Sequence, residues 1–98
     1  MYRSNLGLDE LCRKIIEKKG EDHQLIKVVE ELGELQDAIL KHMQGRATLE
    51  ELAGETVDVK VTVRQLEMMI NKVDSSIMID AKVHKLDRLE RRIDNVEV

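Results

Sequence analysis

Residues 23–39 read HQLIKVVEELGELQDAI, and this stretch decides the fold. Its apolar residues recur three and four positions apart, which is the spacing of one face of an α-helix. Glu21 and Asp22 suit a helix N-terminus, where the helix dipole is positive, and Gly45 suits the end of the helix. We therefore expect a long helix over residues 22–44. Its apolar face is formed by Leu25, Val28, Val29, Leu32, Leu35, Ile39 and Met43.

Two acidic runs lie at helical spacing in this part of the chain. Glu30, Glu31 and Glu34 belong to EELGEL, and Glu55 and Asp58 belong to ETVD at residues 55–58. Residues three or four apart share a helix face, so two facing helices would bring up to five carboxylates together. Like charges that close repel each other unless a cation holds them. A hard divalent cation with oxygen ligands, Mg²⁺ above all, is the natural candidate.

A non-functional interpretation competes with this one. The chain is 37% charged, and acidic residues on an exposed helix face are ordinary in such a protein. Against this, both acidic runs are interleaved with apolar residues, such as Val29 and Leu32 in the first run and Val57 and Val59 in the second. The carboxylates thus border the apolar stripe. A metal site and a solvated acidic face both remain open at this point.

Three further helices are expected, over residues 8–19, 49–72 and 75–95. Thr48, with Glu51 three residues later, forms a capping box that starts the third helix. In the fourth helix Ile79, Leu86 and Ile93 repeat every seven residues, a seam suited to packing against another helix. The sequence therefore predicts an all-α fold of four helices per chain in a single domain, residues 1–98.

One segment gives conflicting signals. Residues 57–63 read VDVKVTV, an alternating and β-branched pattern that is typical of a strand. No turn residues bound the segment, and a capping box starts a helix just before it. Val59, Val63 and Leu66 also keep helical spacing. We expect a helix here.

Composition limits the classes of function. The net charge is −4, which disfavours general binding to nucleic acid, and no apolar run approaches the length of a membrane span. Cys12 is the only cysteine, so we expect a buried thiol and a cytoplasmic location. Proline is absent and Gly occurs five times, which favours long helices. His23, His42 and His84 show no metal-ligand spacing and are expected at the surface.

The acidic pattern resembles a known family. Glu30-Glu31-x-x-Glu34 followed by Glu55-x-x-Asp58 is similar to the signature of the MazG-like all-α nucleoside triphosphate pyrophosphohydrolases, and the resemblance covers about residues 20–75. It implies a helical bundle packed across an oligomer interface, a tetramer more than a dimer. It also implies Mg²⁺-dependent hydrolysis of nucleoside triphosphates to a monophosphate and pyrophosphate, with Mn²⁺ as a substitute metal. The removal of non-canonical or deoxynucleotides is the implied purpose.

The resemblance also implies roles for individual residues. Metal binding falls to Glu31, Glu34, Glu55 and Asp58. Catalysis falls to Glu30, Glu31 and Glu34, with Glu30 orienting the attacking water. The expected substrate-binding residues are Gln24 and Lys27 beside the acidic run and the late basic residues Lys82, Lys85 and Arg88. For the late basic residues, a solvated helix face paired with Asp80, Asp87 and Glu90 is the competing interpretation.

Two other functions stay open. Phosphoribosyl-ATP pyrophosphatase shares the fold and a K-x-x-E-E-x-x-E run, which residues 27–34 also satisfy. A non-catalytic helical oligomerisation module would need no metal at all.

The chain also departs from members of the resembled family that bind the base with aromatic side chains, because Tyr2 is its only aromatic residue. Base recognition would therefore come from aliphatic, Met or polar groups, or from a partner subunit.

Overall fold

The computed structural model describes residues 7–96, which form four α-helices. No strand occurs in this part of the chain, so the prediction of an all-α fold is confirmed. Each helix boundary lies within one residue of the expected position, and Tyr2 lies outside the described residues. The helices are α1 (Leu8–Lys19), α2 (Glu21–Met43), α3 (Leu49–Val73) and α4 (Ser75–Val96).

The alternating segment at residues 57–63 is helical throughout, as expected. Thr62 turns its hydroxyl back onto the helix and donates to the carbonyls of Asp58 and Val59, at 3.2 and 3.1 Å. Such local bonds satisfy a polar side chain inside a helix. The β-branched pattern is thus overridden by the cap at Thr48 and by packing along α3.

Specific residues end and start the helices. α2 closes with a Schellman arrangement, in which Gly45 (φ 73°) donates to the carbonyl of His42 at 3.0 Å and Arg46 donates to that of Lys41 at 2.8 Å. Thr48 then accepts the backbone N–H of Glu51 at 3.1 Å, which confirms the expected N-cap of α3. Asp74, which the sequence analysis did not single out, caps α4 by accepting the N–H of Ser76 at 2.9 Å.

The helices group into two compact units, Met1–Met68 and Met69–Val98, and the division falls within α3. In the first unit α3 is tied to α1. The Cys12 thiol, fully buried as predicted, donates to the carbonyl of Val61 at 3.7 Å. Arg64 grips Asp9 through two nitrogens, at 2.7 and 3.0 Å. These contacts place α1 beside the part of α3 that follows the second acidic run.

Helix α2 carries two neighbouring stripes of side chains, one buried and one exposed, and most of the apolar face expected for this helix belongs to the exposed stripe. The inner stripe holds the buried residues of this helix, and two of them are polar. The outer stripe is apolar and exposed, with Val29 exposed to 69% and Met43 to 77%. The inner stripe consists of Gln24, Val28, Glu31 and Ala38, and the outer one of Leu25, Val29, Leu32, Ile39 and Met43.

In the second unit α4 carries the expected seam, and Ile79, Leu86 and Ile93 are all exposed. Its basic side chains are exposed as well, and Arg91 pairs with Asp87 at 2.9 Å. None of the helices in the described residues is long and apolar enough to cross a membrane.

Candidate functional site

Three of the predicted carboxylates meet in the first unit. Glu31 and Glu34 come from neighbouring turns of α2, and Glu55 comes from α3. One oxygen of each lies within 4.8 Å of the others. The helices supply them because Glu31 belongs to the inner stripe of α2 and Glu34 follows it by three residues. Oxygen atoms at this spacing can surround a single cation.

Burial of this cluster is graded. Glu31 is only 7% exposed, Glu55 is half-buried, and Glu34 is exposed. Among the described residues, Glu31 Oε2 and Glu55 Oε2 in this cluster, and Asn71 Oδ1 outside it, are buried without a hydrogen-bond partner. A buried carboxylate oxygen without a partner is costly and calls for an explanation, such as a bound ion. Two such atoms from two different helices therefore support a cation site in this cluster.

The electrostatics of the cluster show unbalanced negative charge. The negative charge of Glu31, together with a hydrogen bond between the two carboxyl groups, raises the pKa of Glu34 above its ordinary value, and desolvation and the charge of Glu55 add to the effect. Lys27 compensates in part, since its Nζ lies 3.2 Å from Glu31 Oε1 and 3.8 Å from Glu30 Oε2. The hydrogen bond to Glu31 raises the pKa of Lys27.

The other two predicted acidic residues lie beside the cluster. Glu30 is exposed and contacts Lys27, while Asp58 is exposed on α3 one turn after Glu55. Both line a cavity of about 600 Å³ that also reaches Glu31. The structure thus brings Glu31, Glu34 and Glu55 together and leaves Glu30 and Asp58 on the adjoining wall.

This cavity lies between α1, α2 and α3. Gln24 and Lys27, both predicted to contact substrate, line it. Its wall combines three aliphatic side chains, Ile15, Ile26 and Val61, with a larger number of polar and charged ones. Besides the predicted residues, Lys19, His23, Thr62 and Gln65 contribute to the polar part of the wall.

The late basic residues belong to the second unit. Lys82, Lys85 and Arg88 are exposed on α4, and Arg88 borders a shallow depression with Arg91, Arg92 and Asn95. Their proposed contact with substrate stays a prediction.

Four polar or charged residues of the cavity, Lys19, His23, Thr62 and Gln65, were missed by the sequence analysis. His23 was expected at the surface, and it is exposed, but its ring also lines the cavity. Thr62 and Gln65 are both buried. One signal was present in the sequence: Asp58, Thr62 and Gln65 recur four and three residues apart and so share one face of α3.

Comparison of the chain with models of known protein families, with curated proteins and with solved structures finds no match.

Proposed function

We propose that this chain is an Mg²⁺-dependent nucleoside triphosphate pyrophosphohydrolase of the MazG-like type, which releases a nucleoside monophosphate and pyrophosphate. The observation that carries the proposal is the cluster of Glu31, Glu34 and Glu55, whose two partnerless buried oxygens lie next to a cavity. A solvated acidic face would leave its carboxylates in water. A buried carboxylate needs a counterion.

The residues present suit a hard divalent cation. Carboxylate oxygens are the ligands that Mg²⁺ prefers, and Mn²⁺ accepts the same donors. Glu31, Glu34 and Glu55 would hold the ion, with Asp58 as the fourth candidate ligand on the cavity wall. Mg²⁺ bound there would neutralise phosphate charge and lower the pKa of a bound water.

The neighbouring side chains supply the remaining functions. Glu30 is the candidate that accepts a proton from the attacking water, because its carboxylate is exposed on the cavity wall, 3.8 Å from Lys27 Nζ. Lys27 offers a positive charge between the carboxylates and the cavity. Polyphosphate carries several negative charges, so a cation at this place would help to position it.

We further propose that the chain works as an oligomer, and a tetramer more than a dimer. The outer stripe of α2 supports this, because its five apolar side chains are exposed along the length of the helix. An unpartnered apolar surface of this kind is typical of a helix that packs against another subunit. A second copy of this chain is the occupant we propose.

The test is pyrophosphate release from a panel of canonical and modified nucleoside triphosphates, with and without Mg²⁺. We expect release only with the metal, and a loss of at least a hundredfold in Glu34→Gln, in line with losses of about 10²–10³ on removing one electrostatic contact to a reacting group. Asp37→Asn is the matched control, since Asp37 lies on α2 three residues later and pairs with Lys41 instead.

Four outcomes would contradict the proposal. Release that is independent of Mg²⁺, or unchanged in Glu34→Gln, would separate the carboxylate cluster from the activity. Hydrolysis of phosphoribosyl-ATP alone would reassign the same site to that substrate. A folded protein that hydrolyses no nucleotide would favour a non-catalytic helical module.

A further inference from the structure

We infer that the cavity between α1, α2 and α3 is a nucleobase subsite, in which His23 presents its Nε2 atom to the base. The inference rests on the proposed function, because it assigns the part of the substrate that lies next to the carboxylate cluster. It adds His23, Gln65 and Thr62 to the residues that meet or position the substrate.

The first step is a chain of hydrogen bonds through the buried wall of the cavity. The His23 ring lies with Nδ1 2.8 Å from Gln24 Oε1, and Gln24 Nε2 donates to Gln65 Oε1 at 2.7 Å. Gln65 in turn hydrogen-bonds the thiol of Cys12, and that thiol donates to the carbonyl of Val61 at 3.7 Å. Gln24 donates inwards to Gln65, which leaves Gln24 Oε1 facing the His23 ring.

This direction determines the state of the histidine ring. Gln24 Oε1 can only accept, so His23 Nδ1 must carry the proton. In the neutral ring Nε2 is then left as a hydrogen-bond acceptor. Gln24 is 4% exposed and Gln65 is 1% exposed, so water cannot replace their bonds and the amide groups are held in place. Gln65 is thus a positioning residue that acts on the substrate through Gln24 and His23.

The second step is distance along α2. An α-helix rises about 1.5 Å per residue, which puts Lys27 about 6 Å and His23 about 12 Å before Glu31 along the helix axis. A phosphate held at the carboxylates has its neighbouring phosphates within reach of Lys27. The far end of a nucleoside extends further than one phosphate link and reaches the level of His23. The base of a nucleotide whose phosphate is held at the carboxylates can therefore reach the His23 end of the cavity.

The third step is the chemistry of the lining. Ile15, Ile26 and Val61 supply aliphatic surface for the two faces of a planar ring. The Thr62 hydroxyl donates its proton to backbone carbonyls, so the Thr62 oxygen can only accept a hydrogen bond from a ligand. Together with His23 Nε2, it offers acceptors to the N–H groups on the edge of a base. The cavity volume of about 600 Å³ suits a nucleoside.

The decisive experiment compares a ligand with a base and one without it. Binding of an uncleavable α,β-methylene nucleoside triphosphate and of inorganic tripolyphosphate is measured by calorimetry with Mg²⁺, for the wild type and for His23→Asn. The asparagine amide can keep the bond to Gln24 but lacks the Nε2 position. We expect the nucleotide to bind about tenfold more weakly and tripolyphosphate to bind as before. His84→Asn, an exposed histidine of α4, should leave both affinities unchanged.

Equal losses for both ligands, or no loss for either, would overturn the inference.

The proposed function is tested separately, by pyrophosphate release from the wild type. If that release fails, NMR still decides the subsite: free nucleosides should shift the His23 ring and the Gln24 and Gln65 side-chain amides. In basic solution the ¹⁵N signals of His23 should show the proton on Nδ1, and Gln65→Leu should abolish that preference. A proton on Nε2 in the wild type, or nucleosides that leave these signals in place, would rule out the subsite.

Discussion

Glu34 shows how charge repulsion within the carboxylate cluster affects the stability of the metal-free protein. Its pKa is raised chiefly by the negative charge of Glu31, so the folded state favours the protonated form of the group. The sign follows from linkage: an acid with a raised pKa in the folded state destabilises the fold when it is ionised. The stability of the metal-free protein should therefore increase as the pH falls through the raised pKa of Glu34.

Substitution of Glu34 by Gln should stabilise the metal-free protein at neutral pH while it removes the proposed activity. The amide keeps the size of the side chain and removes the charge that Glu31 and Glu55 repel. Thermal unfolding in the presence of a chelator should show a melting temperature a few degrees above that of the wild type. Mg²⁺ should raise the melting temperature of the wild type and have little effect on the variant. A lower melting temperature for metal-free Glu34→Gln would contradict the electrostatic account.

At the scale of elements, the contact between α1 and α3 depends on an ion pair. Arg64 holds Asp9 through two nitrogens and also contacts Glu67 at 3.3 Å. The hydrogen bond from Arg64 lowers the pKa of Asp9 below its ordinary value of 3.8. A carboxylate with a lowered pKa stabilises the fold above its unfolded pKa. That contribution is lost as the pH falls through the lowered value.

Substitution of Asp9 by Asn should therefore weaken the pH dependence of stability in acid. At neutral pH we expect a small loss of stability, because exposed ion pairs contribute little. As the pH falls below the lowered pKa of Asp9, the unfolding curves of the variant and the wild type should converge, since the folded wild-type carboxyl is then protonated as well. Denaturant unfolding between pH 2 and pH 7, covering about the range in which Asp9 titrates, measures both limits. A gap that widens in acid would contradict the assigned role of Asp9.

Local sequence signals explain the helices better than they explain the site. Gly20, Gly45 and Thr48 set helix boundaries through bonds to residues a few positions away, and such signals are visible in the sequence. The bond between Gln24 and Gln65 joins residues 41 positions apart. Spacing shows which face of a helix a residue shares, but not which residue of another helix it meets. The carboxylate runs were identifiable because several like charges at one spacing are a pattern in themselves.

At the scale of the whole molecule, the main feature of this chain is the large number of exposed apolar side chains. In the described residues, the buried apolar side chains are Cys12, Val28 and Ala38. Many larger apolar side chains are exposed, including the outer stripe of α2 and the seam of α4. Small domains gain much of their stability by association when their own core is limited. The proposed assembly should therefore also stabilise the fold.

Substitution of Val29 by Lys should dissociate the assembly. Val29 is 69% exposed in the middle of the outer stripe, so lysine fits the single chain but would place a charge in the proposed interface. Sedimentation velocity at micromolar concentration should show an oligomer for the wild type and for Val29→Leu, and a smaller species for Val29→Lys. A wild-type protein that stays monomeric under these conditions would contradict the proposed assembly.

Cys12 provides a direct measure of how often the first unit opens. It is the only thiol in the chain, it is fully buried, and its bonds reach Gln65 and Val61 on α3. An alkylating reagent can reach the sulfur only when α1 separates from α3, so the labelling rate reports the population of that open form. Occupancy of the neighbouring cavity should slow the labelling, which makes one native thiol a reporter of local motion and ligand binding without any engineered probe.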